Sequence, residues 1–357
     1  MRENPGRAAS PPPEELLARV STLAHTRRQP LTREQYVEGI LKGQRTILAR
    51  AITLIESSRE ADRLLAEQIV EDCLPHCGNS IRLGITGVPG AGKSSLIEAL
   101  GMYLINEHAQ KVAVLAIDPS SQLSGGSILG DKTRMTALAA HENAFIRPSP
   151  SRGSLGGVAR RTREAMLLCE AAGYSRIIVE TVGVGQSETA VHGMVDFFLL
   201  ILLTGAGDEL QGIKRGVMEL ADMVAINKAD GDNERPAERA RSEAANALHY
   251  FPASSSGWTP RAQTCSARTG KGIAELWQCV LEHTSLTKTN GWFDALRRDQ
   301  TRNWMQEIVQ HGLMQQFESH PAVRAHKEAL EREVLDGRIT SFRAARTLLE
   351  IYCSPST

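Results

Sequence analysis

The sequence predicts an α/β protein whose doubly wound, mostly parallel sheet is flanked by a helical N-terminal segment and a helical C-terminal arm. Between residues 81 and 284, short apolar runs alternate with longer amphipathic stretches, the pattern of strands joined by crossover helices. On both sides of that region, apolar residues recur at the helical spacings of three and four. A glycine-rich turn follows the first apolar run, as expected where a strand of such a sheet leads into a helix.

The chain of 357 residues divides into four predicted regions. Residues 1–30 form a proline-rich tail predicted to be disordered, and 31–80 form the N-terminal helical segment. Residues 81–284 form the α/β domain, and 285–357 form the C-terminal arm.

Apolar spacing sets the elements within these regions. In the N-terminal segment, one helix is expected around residues 40–55 and a second over about 59–74. Strands are predicted at 82–86, 112–117, 144–147, 177–180, 197–203, 223–227 and 262–266. Helices between them are predicted at 94–107, 157–172, 211–221, 236–249 and 273–283. The arm is predicted to hold two long helices of mixed charge, 292–317 and 322–351.

Charge and composition exclude two classes of partner. The 41 Lys and Arg residues balance 41 Asp and Glu residues, so there is no basic surplus for nucleic acid or anionic lipid. Aromatic residues make up only 4% of the chain, too few for a base-stacking surface. The longest apolar run, 197–203, is far shorter than the roughly 20 residues of a membrane span. We therefore expect neither a nucleic-acid partner nor a membrane partner.

The six cysteines are widely spaced and follow no secretory signal, which indicates a reducing, cytoplasmic compartment. The mitochondrial matrix is the alternative, because the tail contains several arginines, although its prolines and acids are atypical of a transit peptide. Cys73, His76 and Cys77 invite a metal-binding interpretation. No fourth ligand is evident nearby, so packing at a helix end is the favoured interpretation.

A phosphate-binding loop is the strongest motif in the chain. It fits the pattern G-x-x-x-x-G-K-[ST] between a predicted strand and a predicted helix. Its backbone N–H groups and the helix N-terminus are suited to enclosing phosphates. Lys93 is expected to reach the β- and γ-phosphates, and Ser94 to ligate Mg²⁺. The predicted fold is therefore that of a P-loop NTPase, with nucleotide contacts from Gly87, Val88, Pro89, Gly90, Ala91, Gly92, Lys93, Ser94 and Ser95.

A second motif identifies the base of the nucleotide. Asn227, Lys228 and Asp230 form the pattern N-K-x-D directly after an apolar strand. The Asp230 carboxylate can accept two hydrogen bonds from guanine, whereas adenine lacks that pair of donors. Cys265, Ser266 and Ala267 lie at the end of the next predicted strand, where a backbone N–H is expected to face the guanine oxygen. The predicted nucleotides are GTP and GDP.

A third motif predicts the sensor of the γ-phosphate. An apolar strand ends in Glu180, and Gly183 follows three residues later. The acid is expected to hold Mg²⁺ through a water molecule, and the Gly183 N–H to contact the γ-phosphate. Gln186 is a candidate for orienting the attacking water, with a surface position in the loop as the alternative.

Two further acids are candidate metal contacts. Asp118 ends a strand beside the phosphate loop and is expected to contact Mg²⁺ or to activate water. Asp131 lies in the loop that follows and is a candidate for a further metal contact. The alternative for that segment is a helix that begins at Lys132, with Asp131 as its N-cap and Arg134 in its first turn, because Asp is a good N-cap.

Several joined motifs resemble the MeaB/ArgK family of P-loop GTPases. They are D-P-S-S (118–121), G-G-S-I-L-G-D-K-T-R-M (125–135), V-E-T-V-G-V-G-Q-S-E (179–188) and D-E-L-Q-G-I-K-R-G (208–216). The resemblance extends from about Thr32 to the C-terminus. It implies a GTPase chaperone of an adenosylcobalamin-dependent acyl-CoA mutase, with methylmalonyl-CoA mutase as the expected partner.

The resemblance also implies a homodimer joined through the C-terminal arm and slow hydrolysis that the mutase accelerates. Hydrolysis would gate cofactor loading and protect or reactivate the mutase. The segment 208–216 resembles a third switch loop, in which Lys214 is the candidate catalytic residue. A solvated charge at a helix start is the alternative for Lys214. With it, the candidate catalytic residues are Lys93, Asp118, Glu180 and Lys214.

Three alternative functions remain open at this stage. A P-loop kinase linked to arginine or ornithine transport would need an acceptor pocket and a catalytic base, and the sequence identifies neither. A metal-insertion GTPase would typically carry a histidine- or cysteine-rich tract, but the ten histidines are scattered. A signalling GTPase without a mutase partner is the third alternative.

Overall fold

The computed structural model describes residues 31–117, 135–148, 155–181, 187–204, 215–252 and 254–354. A sheet of seven parallel strands forms its centre, in the order β3-β2-β4-β1-β5-β6-β7. The strands are β1 Ile81–Gly87, β2 Val112–Ile117, β3 Ala144–Arg147, β4 Arg176–Thr181, β5 Phe197–Leu202, β6 Met223–Ile226 and β7 Arg261–Thr264. All seven predicted strands are present, and the predicted α/β class is confirmed.

Within residues 31–80, the α-helices before the sheet are α1 Arg33–Leu41, α2 Arg45–Glu56 and α3 Glu60–Cys73. The hydroxyl of Thr32 accepts a hydrogen bond from the Gln35 N–H, and the Gln35 side chain accepts one from the Thr32 N–H, so a capping box starts α1. The continuous helical pattern predicted here is broken at Gly43, whose φ of +69° suits glycine. Apolar spacing alone did not reveal this break.

Among the described residues, the helices that accompany the strands are α4 Lys93–His108, α5 Thr136–Ala140, α6 Leu155–Ala171, α7 Ser187–His192, α8 Arg215–Glu219, α9 Glu234–Leu248 and α10 Ile273–Thr289. One face of the sheet packs on α4 and α10, and the other packs on α6, α7 and the N-terminal helices. The strands are buried on both faces, which explains their continuous apolar runs.

The C-terminal arm consists of α11 Trp292–Ser319, α12 Pro321–Leu335 and α13 Ser341–Cys353. The prediction of one helix over 322–351 was wrong. Gly337 has a φ of +69°, and the hydroxyl of Thr340 caps α13 by accepting from the Arg343 N–H. A helix stop and a helix start therefore lie inside a stretch that is apolar at helical spacing throughout. Among the described residues, no helix is long and apolar enough to cross a bilayer.

The first helix of the arm is anchored at the amino end of the sheet. Arg297 of α11 donates to both carboxylate oxygens of Asp196, at 2.8 Å each, and to the carbonyls of Gly78 and Ser80. Gln300, one turn further, donates to the Val195 carbonyl at 2.8 Å. These bonds fix α11 to the connection between α7 and β5.

Candidate nucleotide-binding site

The candidate site lies at the carboxyl end of the sheet, around β1. The chain runs from β1 outward to β2 and β3 on one side, returns through β4, and crosses to β5, β6 and β7 on the other. In open parallel sheets, ligands bind at the carboxyl ends of the strands where this change of direction occurs. The phosphate-loop motif follows β1 at this position.

The phosphate loop is shaped by close contacts that require glycine. A Cβ atom at Gly87 would lie 2.3 Å from the carbonyl oxygen of Ile201 in β5. Gly92 has a φ of +82°, and a Cβ there would lie 2.7 Å from the Asn227 side-chain nitrogen. The loop is therefore held between its own strand, β5 and the segment that carries the base-specificity motif.

Lys93 is the first residue of α4, and its side chain folds back over the loop. Its Nζ donates to the carbonyl of Gly87 at 2.8 Å and to that of Val88 at 3.2 Å. The ammonium group therefore lies at the start of the loop, beside the N-terminus of a 16-residue helix. Both features favour an anion enclosed by the loop.

Glu180 joins the sensor strand to the same helix. It lies near the end of β4, is 3% exposed, and accepts a 3.2 Å hydrogen bond from the Ser94 hydroxyl. A hydroxyl and a carboxylate oxygen at this distance form an all-oxygen donor pair. Oxygen ligands are those that Mg²⁺ prefers, so these residues fit the predicted metal.

Asn227 links the two nucleotide-binding segments. Its Nδ2 donates to the Ala91 carbonyl of the phosphate loop at 2.8 Å. Its Oδ1 accepts from the Ala267 N–H at 3.2 Å. A backbone N–H of this region is predicted to face the guanine oxygen, and in the structure the Ala267 N–H donates to Asn227. A contact from Ala267 to the base would therefore share that N–H.

The carboxylate expected to select guanine is held by a hydroxyl. Ser266 Oγ donates to Asp230 Oδ2 at 2.5 Å and itself accepts from the Thr269 N–H at 3.2 Å. The other oxygen, Oδ1, lies 3.9 Å from the exposed guanidinium of Arg268. The Asp230 side chain is 22% exposed. One carboxylate oxygen is thus fixed within the chain, and the other lies near a solvent-exposed cation that the sequence analysis did not single out.

Cys265 lies beneath this segment and is fully buried. Burial raises the pKa of its thiol to about 12, so it remains protonated at neutral pH. Its backbone carbonyl accepts from the Ala229 N–H at 3.0 Å, which ties the N-K-x-D segment to the end of β7. The thiol packs in the core and is not a nucleophile.

The structure brings together the phosphate loop, Ser94, Glu180, Asn227, Lys228, Asp230, Ser266 and Ala267 around one end of the sheet. The predicted residues Asp118, Asp131, Gly183, Gln186 and Lys214 lie outside the described residues. The roles assigned to both groups stay predictions.

The metal-binding interpretation of Cys73, His76 and Cys77 gains no support. The Cys77 thiol donates to the carbonyls of Cys73 and Leu167, as expected for packing at a helix end. Among the described residues, no group of three or more His, Cys, Asp or Glu side chains could hold a metal ion.

Comparison with known proteins places this geometry in a family. Residues 48–322 match the model described as methylmalonyl-CoA mutase-associated GTPase MeaB. A probable GTPase of Mycobacterium tuberculosis is 52% identical over 309 residues, covering 87% of this chain and 92% of that protein. GTPase ArgK of Escherichia coli is 49% identical, covering 78% and 86% respectively.

A mitochondrial relative and a solved structure extend the comparison. The mouse methylmalonic aciduria type A homolog, described as mitochondrial, is 46% identical and covers 88% of this chain and 78% of its own length. A crystal structure described as a LAO/AO transport system kinase has a TM-score of 0.73 and 37% identity. It covers 90% of this chain and 98% of its own.

Proposed function

The chain belongs to the MeaB family of methylmalonyl-CoA mutase-associated GTPases, and from that premise we propose that its GTP hydrolysis serves a cobalamin-dependent mutase. In this proposal, hydrolysis gates the loading of adenosylcobalamin and protects or reactivates methylmalonyl-CoA mutase or a related acyl-CoA mutase. The observation that carries the proposal is the family match over residues 48–322, which extends beyond the GTPase core into both helical flanks.

Hydrolysis is an in-line attack of water on the γ-phosphorus, which breaks the bond to the β–γ bridging oxygen and releases GDP and phosphate. Lys93 neutralises the charge that develops on the phosphate oxygens. Gly183 is proposed to donate its N–H to the γ-phosphate, Gln186 to orient the water, and Lys214 to contribute from the third switch loop.

The proposed Mg²⁺ site uses the donors that fit it best. Ser94 and Glu180 would hold the ion, with Asp118 and Asp131 as further candidate contacts. When bound, Mg²⁺ supplies positive charge to the β- and γ-phosphates. The 3.2 Å contact between Ser94 Oγ and Glu180 Oε1 supports this assignment, because it brings two hard oxygen donors together.

The proposed selection of guanine rests on Asp230, whose oxygens would accept from the base N1–H and 2-amino groups. Ser266 supports this role by donating to one carboxylate oxygen. Asn227 and Lys228 are proposed to complete the base pocket, Asn227 by holding the phosphate loop against it.

We also propose that the C-terminal arm, residues 285–357, joins two copies of the chain. Met305, Val309 and Leu313 are more than half exposed and recur every four residues on α11. An apolar stripe of this kind on a long helix is suited to burial against a second helix. Sedimentation analysis of Val309→Glu should give a monomer if the stripe forms the interface, and an unchanged dimer would contradict its use.

Cytoplasmic location is the proposed assignment, with the mitochondrial matrix as the alternative suggested by the mouse relative's name. Fluorescence microscopy of the full chain fused at its C-terminus distinguishes the two in a cell that contains mitochondria.

The mutase proposal is tested by measuring GTP turnover with and without purified methylmalonyl-CoA mutase. We expect turnover to rise when the mutase is added, and transfer of adenosylcobalamin to the apo-mutase to depend on GTP. Lys93→Ala is the control, since it should abolish both effects. A flat response across several cobalamin-dependent acyl-CoA mutases would contradict the proposal.

A kinase linked to amino-acid transport is the second candidate, favoured by the description of the related solved structure. This function would transfer the γ-phosphate to an acceptor other than water. Incubation with γ-labelled GTP and arginine or ornithine distinguishes the two, because a kinase gives a labelled acceptor and a GTPase gives only free phosphate.

A further inference from the structure

Two buried hydroxyl groups join the strands that carry the phosphate loop and the sensor. Thr86 is the penultimate residue of β1, and Thr181 is the last residue of β4. Thr181 Oγ1 donates a 2.8 Å hydrogen bond to Thr86 Oγ1, and both residues are 0% exposed. Thr86 directly precedes the phosphate-loop motif, and Thr181 lies between the sensor residues Glu180 and Gly183, but neither was predicted to contact the nucleotide.

This pair lies on the face of the sheet opposite to Glu180. β1 and β4 are parallel, with Ile85 beside Glu180, so the next residues along the two strands are Thr86 and Thr181. Successive side chains of a strand point to opposite faces. On one face, Ser94 therefore ties α4 to Glu180, and on the other the two hydroxyls tie β4 to β1.

The location of the pair gives it a direct link to the reacting groups. Thr86 precedes Gly87, whose carbonyl accepts from Lys93, and Thr181 follows Glu180. A hydrogen bond is directional, and a threonine side chain has restricted χ1, so the contact fixes both spacing and orientation of the strand ends. Apolar contact alone would set spacing with less control over orientation.

We propose that Thr86 and Thr181 are positioning residues for GTP hydrolysis, which hold the Glu180 carboxylate at a fixed place relative to Lys93 and the phosphate loop. They act through these neighbours and do not contact the nucleotide. The proposal rests on the GTPase activity and is independent of the mutase partner.

The test uses Thr86→Val, Thr181→Val and the double variant, since valine keeps the shape and removes the hydroxyl. Each single variant leaves one buried hydroxyl without its partner and should lower both the melting temperature and kcat. The double variant removes both hydroxyls, so its stability should largely recover. We expect its kcat to stay about 10-fold low, because small misplacements of catalytic groups are costly. Its affinity for GDP should stay within about 3-fold, because the phosphate loop is intact.

Two controls separate positioning from stability. Thr284→Val removes another buried threonine hydroxyl, one bonded to the Val280 carbonyl within α10, and should lower stability with kcat unchanged. Thr181→Ser retains the hydroxyl and should keep kcat within about 3-fold of the unsubstituted protein, since the hydrogen bond can still form.

The double variant, Thr86→Val with Thr181→Val, shows whether the pair positions the catalytic groups or serves packing alone. Recovery of both stability and kcat would overturn the proposal, because the pair would then serve packing alone. A parallel loss of GDP affinity and kcat would also overturn it, as would a 10-fold loss of kcat in Thr181→Ser or in Thr284→Val. If the double variant does not fold, Thr181→Ser and the single variants still carry the test.

Discussion

The amino and carboxyl ends of the central sheet differ in the groups that their charged side chains contact. At the amino end, Arg82 pairs with Glu170 and Arg297 pairs with Asp196, and each of these carboxylate side chains is 1% exposed. At the carboxyl end, Lys93 donates to backbone carbonyls at the start of a glycine-rich loop. Two buried ion pairs thus lie at the amino end, whereas Lys93 at the carboxyl end lies at the start of a loop suited to enclosing a phosphate.

The pKa of Glu170 illustrates the amino end. Burial alone would raise the pKa of this carboxyl group, but Arg82, the Ser80 hydroxyl and the Gly78 N–H hold it below its usual range. The group is therefore ionised in the folded chain and is fully hydrogen bonded. From this contrast we expect substitutions at the amino end to change the free energy of unfolding, and substitutions at the carboxyl end to change nucleotide binding and turnover.

The largest effect on stability is expected for Arg297→Ala. It leaves Asp196 buried without its partner and releases two carbonyls that Arg297 satisfies. Breaking one partner of a buried pair costs about 3–5 kcal/mol of unfolding free energy. Urea denaturation measures this loss, and KM for GTP should stay within about 2-fold if the folded site is unchanged.

The matched control is Arg302→Ala on the same helix. Arg302 forms an ion pair with Asp299 in which both side chains are exposed. This substitution should cost less than about 1 kcal/mol. Two results would contradict the expected difference between the two ends of the sheet. One is an unfolding free energy for Arg297→Ala no lower than that of this control. The other is a large change in KM for GTP with little change in unfolding free energy.

The largest effect on binding is expected for Lys93→Ala at the carboxyl end. Loss of a charge-assisted contact to phosphate should weaken GTP binding about 100-fold, since such contacts are worth up to about 3 kcal/mol. Titration calorimetry with GTP measures this, and the unfolding free energy should barely change. Lys42→Ala, which removes an exposed i,i+4 ion pair with Glu38, is the control. Unchanged GTP affinity in Lys93→Ala would remove the phosphate-loop interpretation.

A smaller and more specific effect is expected for Asp230→Asn. Its amide presents a donor where guanine also presents a donor, so GTP binding should weaken by about 10- to 100-fold, as for loss of a hydrogen bond to a charged group. Xanthosine triphosphate should then bind more tightly than GTP, because its base carries an oxygen acceptor in place of the amino group. Competition binding with GTP, ATP and xanthosine triphosphate measures the change.

Asp232→Asn is the control for this substitution, because Asp232 lies two residues away and is exposed. It should leave the nucleotide preference unchanged. Effective competition by ATP in the unsubstituted protein would show that the base assignment is wrong.

Local spacing explains why some features could be predicted and others could not. The G-x-x-x-x-G-K-[ST] pattern specifies a turn, a charge and a helix start within eight residues, so its place after β1 followed from sequence. The break between α12 and α13 was missed, because Gly337 and Thr340 are local signals inside a stretch with helical spacing throughout.

Contacts between residues that are far apart in the sequence could not be predicted either. Thr86 and Thr181 are 95 residues apart, and Arg297 and Asp196 are 101 residues apart. Their pairing depends on strand order and on where α11 packs, and the apolar pattern of each element contains neither. The nucleotide-binding motifs could therefore be predicted from sequence, but the contacts that hold the strand ends and the arm in place could not.

The smallest predicted effect is a pH dependence at the amino end. Asp222 accepts from the Phe198 N–H at 2.8 Å, and burial raises the pKa of its carboxyl group to about 7 from the ordinary value of 3.8. The folded chain holds this proton up to about pH 7, whereas the unfolded chain loses it near 3.8, so stability falls as pH rises between these values. The Asp222 side chain is 23% exposed, so solvent partly screens its charge. We expect a loss of about 1–2 kcal/mol between pH 5 and pH 8.

Asp222→Asn should remove this loss, since the amide oxygen can still accept from the Phe198 N–H and carries no charge. The variant should gain about 1–2 kcal/mol relative to the unsubstituted protein as pH rises from 5 to 8. Burial lowers the pKa of the neighbouring His283 to about 4, so its own contribution is lost as pH falls below its ordinary value of 6.5. That contribution is common to both proteins and cancels in the difference. A difference that stays constant with pH would mean that Asp222 is ionised in the folded chain, and that the amino end tolerates a buried carboxylate without a bonded cation.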